Sequence, residues 1–234
     1  MTKEIRGRRI IVGITGASGV IYGVRLLKIL RNLPVETHLV VSRSAELTLA
    51  YETDLKVAQL QAMADTVYAA GDVGAAIASG SFPTLGMIVA PCSIKTLSEI
   101  AAGTTTTLLT RAADVTLKER RRLVLMLRET PLHLGHIRAM LAVTEMGAVV
   151  APPVPAFYAK PRTLEEMIDH SLGRVLDLFG LESGTVRRWG EDKVGRKRAA
   201  AETERVQTAQ PHHPGIRAVT SGSAKSRSTP RQRK

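Results

Sequence analysis

The residues in this chain best suited to chemistry lie in Arg128-Glu129-Thr130-Pro131-Leu132-His133. A guanidinium beside a carboxylate can hold an anion and move a proton in the same space. The same pair could equally be a surface ion pair at a strand exit. The basic run Lys118-Glu119-Arg120-Arg121-Arg122 lies just upstream, and Leu123-Val124-Leu125-Met126-Leu127 joins the two. Five consecutive apolar residues between polar ones read as a strand buried on both faces. Arg128 and Glu129 then sit at its carboxyl end, where open α/β sheets bind their ligands.

Two further stretches have the pattern of anion sites. Residues 9–14 form a β-branched run that enters Thr15-Gly16-Ala17-Ser18-Gly19, and residues 20–30 carry apolar positions at helical spacing (Val20, Val24, Leu27, Leu30). Strand, glycine turn and helix together aim backbone N–H groups and a helix dipole at a phosphate. Gly13, Gly16 and Gly19 do not make the G-x-G-x-x-G spacing, and no G-K-[ST] follows, which argues against a dinucleotide fingerprint and a nucleoside triphosphatase. Residues 87–90 form another buried strand leading into Pro91-Cys92-Ser93-Ile94-Lys95-Thr96, with Ser93 as N-cap and Thr96 at N3 of a second helix. One ligand between two such helix starts explains both.

The remaining elements follow from periodicity. Residues 36–41 are a strand ending at Ser42, which caps the next helix or meets a ligand, and that helix ends near Glu52. Weak helices run to about residue 77, and residues 103–109, rich in threonine, read as irregular. Residues 134–145 are a helix with Ile137, Met140 and Leu141 inward, and residues 149–151 are a last strand. The proline-rich loop to Phe157 and Tyr158 is stiff, which lowers the entropy cost of placing those rings. Leu164, Ile168, Leu172, Val175, Leu176 and Phe179 mark an amphipathic helix, with Arg174 at the border of its stripe. Alternating strands and helices predict an α/β, flavodoxin/Rossmann-like, doubly wound parallel sheet in three layers. One folded domain spans residues 1–194. Residues 195–234 lack apolar periodicity and read as a basic, disordered tail.

Composition bounds the function. With 3% aromatic residues, the core must be aliphatic. A single cysteine, Cys92, excludes an internal disulfide and reads as a buried small residue. No run reaches the roughly 18 apolar residues of a membrane helix, and residues 1–9 lack the features of a signal peptide, so the expected location is the cytoplasm. The net charge is +12, but residues 190–234 hold 11 lysines and arginines against 4 acidic residues. Most of the excess therefore belongs to the tail and not to a nucleic-acid-binding face. His133 and His136 share a helical face, but the pattern offers no third metal ligand, and a helix-start role fits them better.

Gly16-Ala17-Ser18-Gly19, Pro91-Cys92-Ser93, Leu117-Lys118-Glu119-Arg120-Arg121, Arg128-Glu129-Thr130-Pro131-Leu132-His133 and Pro155-Ala156-Phe157-Tyr158 occur in this order. Together they resemble the flavin prenyltransferases that supply prenylated FMN to decarboxylases such as those of ubiquinone biosynthesis. The resemblance covers residues 9–192. It implies transfer of a dimethylallyl group from dimethylallyl monophosphate to N5 and C6 of reduced FMN. It assigns FMN to Gly16, Ala17, Ser18, Ser42, Ser93, Ile94, Lys95, Thr96 and Arg128, and the donor phosphate to Lys118, Arg111, Tyr158 and Arg174. Glu129 and Glu52 become acid–base candidates, with Ser18 and Lys118 beside them in the catalytic set. It also implies no metal, a prenylated-FMN-dependent decarboxylase as recipient, and a large, dodecamer-like homo-oligomer with ligands near subunit boundaries.

Residue chemistry is consistent with this. Arginine and lysine can stabilise a departing phosphate, and the chain has no Asp-rich pair of the kind that holds Mg²⁺ in diphosphate prenyltransferases. An allylic cation needs a π wall, and Tyr158 and Trp189 are two of only eight aromatic residues. Three alternatives compete. The first is a cysteine-type FMN decarboxylase, against which Pro153-Val154-Pro155-Ala156 replaces the expected Pro-x-Met-Asn motif. The others are a non-catalytic flavin carrier and direct decarboxylation by this protein alone.

Overall fold

The computed structural model describes residues 8–190. In chain order the elements are β1 (Arg9–Ile14), α1 (Ile21–Leu30), β2 (Glu36–Val41), α2 (Arg43–Glu52), α3 (Val57–Gln61), β3 (Thr66–Tyr68) and β4 (Gly86–Cys92). They continue with α4 (Ile94–Ala101), α5 (Leu108–Lys118), β5 (Arg122–Leu127), α6 (Leu134–Glu145), β6 (Val149–Val150) and α7 (Leu164–Asp177). All strand pairs are parallel, in the order β3-β2-β1-β4-β5-β6. The chain winds outward from β1 in one direction and from β4 in the other, so the order reverses between these two strands. That switch point opens a crevice outside their carboxyl ends.

The strands are apolar without interruption because both faces of the sheet are covered. Ile10, Val12, Ile88, Val124 and Met126 share a core with Val24 and Leu27 of α1 and Ile168 and Leu172 of α7. The alternate residues Ile11, Met87, Val89, Leu123 and Leu125 share a second core with Leu97 of α4, Leu109 and Ala112 of α5, and Val143 of α6. This is the three-layer arrangement expected.

Several details differ from the sequence reading. α5 starts at Leu108, inside the stretch read as irregular, and Thr107 caps it by accepting from the Thr110 N–H. Strand β3 has only three residues and carries no pattern long enough to read. In α6, Met140 packs against the second core as expected, but Ile137 and Leu141 are half exposed and Val143 is the fully buried residue, so only part of the predicted stripe faces inward. Among the described residues, no helix is long and apolar enough to cross a membrane. The proposed tail, residues 195–234, and the domain boundary at residue 194 lie outside the described residues.

Candidate functional site

The crevice at the β1–β4 switch point is a pocket of about 430 Å³, lined by Gly16, Ala17, Ser18, Ser93, Ile94, Lys95, Arg128, Glu129 and Thr130. Two helix starts and one strand exit converge on it, as the pattern predicts. Thr15 fastens the two starts together. Its buried hydroxyl donates to the Pro91 carbonyl (2.8 Å) and accepts from the Ser93 N–H (2.7 Å). Ser93 Oγ accepts from the Thr96 N–H at 3.3 Å, which caps α4. The sequence reading gave Thr15 no role; its only signal was a hydroxyl directly before a glycine turn.

The glycine turn is built to be close to its neighbours. A Cβ on Gly16 would lie 2.5 Å from the Ser44 side chain. Gly19 has φ +91°, and a Cβ there would lie 2.5 Å from Arg128 Nη1. That same Nη1 donates to the Ser18 carbonyl at 2.6 Å, so the exit of β5 and the turn after β1 are physically joined. No side chain of α1 caps its own start. The Glu52 carboxylate does so instead, accepting from the N–H groups of Gly19 (2.8 Å) and Val20 (3.0 Å). A carboxylate there also complements the helix dipole.

This arrangement fits the phosphate end of a flavin mononucleotide. The turns before α1 and α4 line one cavity, bringing Ser18 and Ser93 to it, and the Arg128 guanidinium stands at its rim.

Beside it, a second cavity of about 350 Å³ is lined by Met126, Ala151, the 152–154 loop, Tyr158, His170, Ser171, Arg174 and Val175. Met126 of β5 faces this cavity, while Arg128, two residues on, rims the first. Tyr158 is flanked edge-on by Trp189 (5.5 Å between centroids) and by His170 (5.6 Å). Arg174 extends from α7 and pairs with Asp177 at 3.0 Å.

The structure brings the predicted residues together only in part. Gly16, Ala17, Ser18, Ser93, Ile94, Lys95, Arg128 and Glu129 line the first cavity, and Tyr158 and Arg174 line the second, with Trp189 against Tyr158. Ser42 and Thr96 stand behind the first cavity, Ser42 accepting from Ala45 N–H as the α2 cap and Thr96 buried at the α4 start. Glu52 supports the glycine turn and lines neither cavity. Within one chain, Lys118 and Arg111 do not join Tyr158 and Arg174. The reason is the sheet: α5 packs on one face of it and α7 on the other. Lys118, at the end of α5, pairs with Glu119, whose carboxyl it holds below the usual range; Arg111 pairs with Asp114 at 2.7 Å.

Cys92 is fully buried, and desolvation pushes its thiol up to about 12. That is an inert thiol and not a nucleophile. His133 caps α6 by accepting from the Gly135 N–H at 3.0 Å, the helix-start role expected.

A doubly wound sheet with an anion crevice at its switch point defines a nucleotide- or flavin-binding α/β protein. A family model described as Flavoprotein matches residues 1–176. Flavin prenyltransferase UbiX of Thauera aromatica is 59% identical over 181 residues, which is 77% of this chain and 93% of that protein. The crystal structure of AnUbiX in complex with FMN and dimethylallyl pyrophosphate superposes with a TM-score of 0.78 at 54% identity, covering 79% of this chain and 98% of that one. A dodecameric FMN-dependent UbiX-like decarboxylase from Escherichia coli O157:H7 gives a TM-score of 0.76 at 50% identity, covering 77% and 98%. The chain belongs to the flavin prenyltransferase family.

Proposed function

We propose that this protein joins a dimethylallyl group, taken from dimethylallyl monophosphate, to N5 and C6 of reduced FMN. The observation that carries the reading is a pair of cavities that meet the same strand end, Met126 of β5 lining one and Arg128 just beyond it lining the other. The first has Ser18, Ser93 and Arg128 for a flavin phosphate. The second has a tyrosine, an arginine and an aromatic wall for a small phosphate ester. A flavin carrier has no use for the second cavity.

Reduced FMN, when bound, supplies the nucleophilic N5 and C6 atoms. The protein's part is positioning and charge. Breaking the allylic C–O bond sends its electron pair to the phosphate, so charge grows where Arg174 and Tyr158 can meet it. The rings of Tyr158 and Trp189 face the carbon fragment with π density. Glu129, which lines the first cavity, is assigned the proton released at flavin C6. Glu52 keeps the glycine turn and the α1 dipole in register.

Lys118 and Arg111 enter this reading through a neighbouring copy of the chain. The exposed large apolar residues, among them Tyr51, Leu134, Ile137, Leu141 and Phe157, are consistent with such an assembly. We assign a large homo-oligomer on the pattern of the dodecameric relative, a cytoplasmic location, and a prenylated-FMN-dependent decarboxylase as recipient of the product.

The test is direct. Reduced FMN and dimethylallyl monophosphate are supplied to the purified protein without added metal, and the flavin is analysed by mass. A flavin heavier by one C5 unit is expected. An unchanged flavin, with both ligands bound, overturns the reading.

A further inference from the structure

His170 has no part in the chemistry above, yet it is buried against the one tyrosine that lines the second cavity. It is 5% exposed, within α7, and its ring stands edge-on to Tyr158. Its Nε2 lies 3.3 Å from the Arg187 carbonyl and 3.5 Å from Tyr158 Oη. Its Nδ1 is buried without a hydrogen-bond partner among the described residues.

These contacts determine where the imidazole proton sits. A carbonyl oxygen can only accept, so the nitrogen facing it must be the donor. With the proton on Nδ1 instead, a buried N–H would lack an acceptor, and two lone pairs would face each other at Nε2. The neutral ring therefore carries its hydrogen on Nε2. This hydrogen is shared between the Arg187 carbonyl and Tyr158 Oη, and both act as acceptors.

We infer that His170 orients Tyr158 by donating to its hydroxyl oxygen, leaving the hydroxyl hydrogen free to donate into the second cavity. Tyr158 thus presents a donor to an anion there, and is prevented from turning that donor inward. The arrangement adds a neutral donor beside Arg174, whose Nη1 pairs with Asp177, a carboxylate that also takes Arg188 at 3.0 Å. The hydroxyl is then a donor held toward the cavity, whereas Ser171 Oγ, which also lines it, donates to the Met167 carbonyl. His170 is a positioning residue acting through Tyr158, and the inference rests on the proposed function for the identity of the anion.

The chain supplies its own probe. Trp189 is the single tryptophan and packs on Tyr158, so its emission reports occupancy of the cavity without turnover. FMN-loaded protein is titrated with dimethylallyl monophosphate, and steady-state prenylation is measured alongside. His170→Phe is expected to weaken the fluorescence Kd and raise KM by about tenfold, with kcat changed less, as for one hydrogen bond to a charged group. His170→Gln, which keeps a donor, should restore both to within about threefold of the parent. Tyr158→Phe should match His170→Phe, and the double variant should be no worse than either single one.

A His170→Phe protein that binds the donor normally overturns the inference, as do additive losses in the double variant. If His170→Phe does not fold, a normal KM in Tyr158→Phe overturns it equally. A parent protein that binds the monophosphate by fluorescence but forms no prenylated flavin would refute the proposed reaction and leave the His170 inference standing.

Discussion

Gly19→Ala separates two jobs of a single glycine. Gly19 sits at φ +91°, and an alanine Cβ would meet Arg128 Nη1 at 2.5 Å and Arg128 Cδ at 3.0 Å. An L-residue held in the left-handed region costs about 1–2 kcal/mol, and this cost falls on folding whether or not a ligand is bound. Such a loss lowers the melting temperature by about 2–8 °C in a domain of this size. The clash has a different consequence. Arg128 is an end-group that can swing away, but in doing so it releases the Ser18 carbonyl and leaves the cavity rim. Losing one exposed, charge-assisted contact to a phosphate is worth about 1.4 kcal/mol, or tenfold in FMN affinity. The assay is a flavin fluorescence titration of apo-protein, paired with a thermal melt. Arg128→Ala alone should lose the same tenfold in affinity and melt within about 2 °C of the parent, as surface changes do. In the double variant the affinity loss should not grow, while the melting loss of Gly19→Ala persists. If Gly19→Ala binds FMN as the parent does, or if the affinity losses add, the proposed contact between the glycine turn and the β5 exit has no role in binding.

Other expectations follow from single groups. Burial lowers the His38 pKa from its ordinary 6.5, the neighbouring Glu36 opposing this only in part, so the folded protein resists protonating it while the unfolded chain does not. Stability should therefore be fully present above about pH 6.5 and decline as pH falls below it, and His38→Gln should flatten that part of a denaturant-midpoint profile. Glu129→Gln should leave FMN affinity within about twofold of the parent while slowing prenylation by about a hundredfold or more, as loss of a general base does; near-parental turnover removes Glu129 from the chemistry. Cys92, fully buried and with its thiol raised to about 12, should resist iodoacetamide at pH 8 in the folded protein and react promptly in denaturant, as followed by mass.

Much of the site was legible because it is local. Gly16 to Gly19 and Ser93 to Thr96 each lie between a strand and a helix, so the sequence itself carries the turn, the cap and the anion-binding geometry. Arg128 and Glu129 follow an apolar run whose burial on both faces is written in its composition. The orientation of α6 was not legible. Its apolar positions are spaced as a core stripe would be, and sequence cannot distinguish a face that packs on its own sheet from one left for another copy. α5 was missed because a threonine-rich start and an Arg-Ala-Ala-Asp centre dilute the helical pattern, although Thr107 is a good cap.

The sequence alone determined that strands and helices alternate, that the sheet is parallel and covered on both faces, and that three stretches end in groups able to hold phosphate. Periodicity, capping and glycine placement are properties of neighbouring residues, and they survive without knowledge of the fold. Only the tertiary structure decided which of those groups meet. Strand order brought β1 and β4 together, made Thr15 the fastener between their loops, and let Glu52 cap a helix more than thirty residues upstream. The two faces of the sheet separated Lys118 and Arg111 from Tyr158 and Arg174, because contacts across a sheet depend on winding and layer, which one-dimensional spacing does not encode.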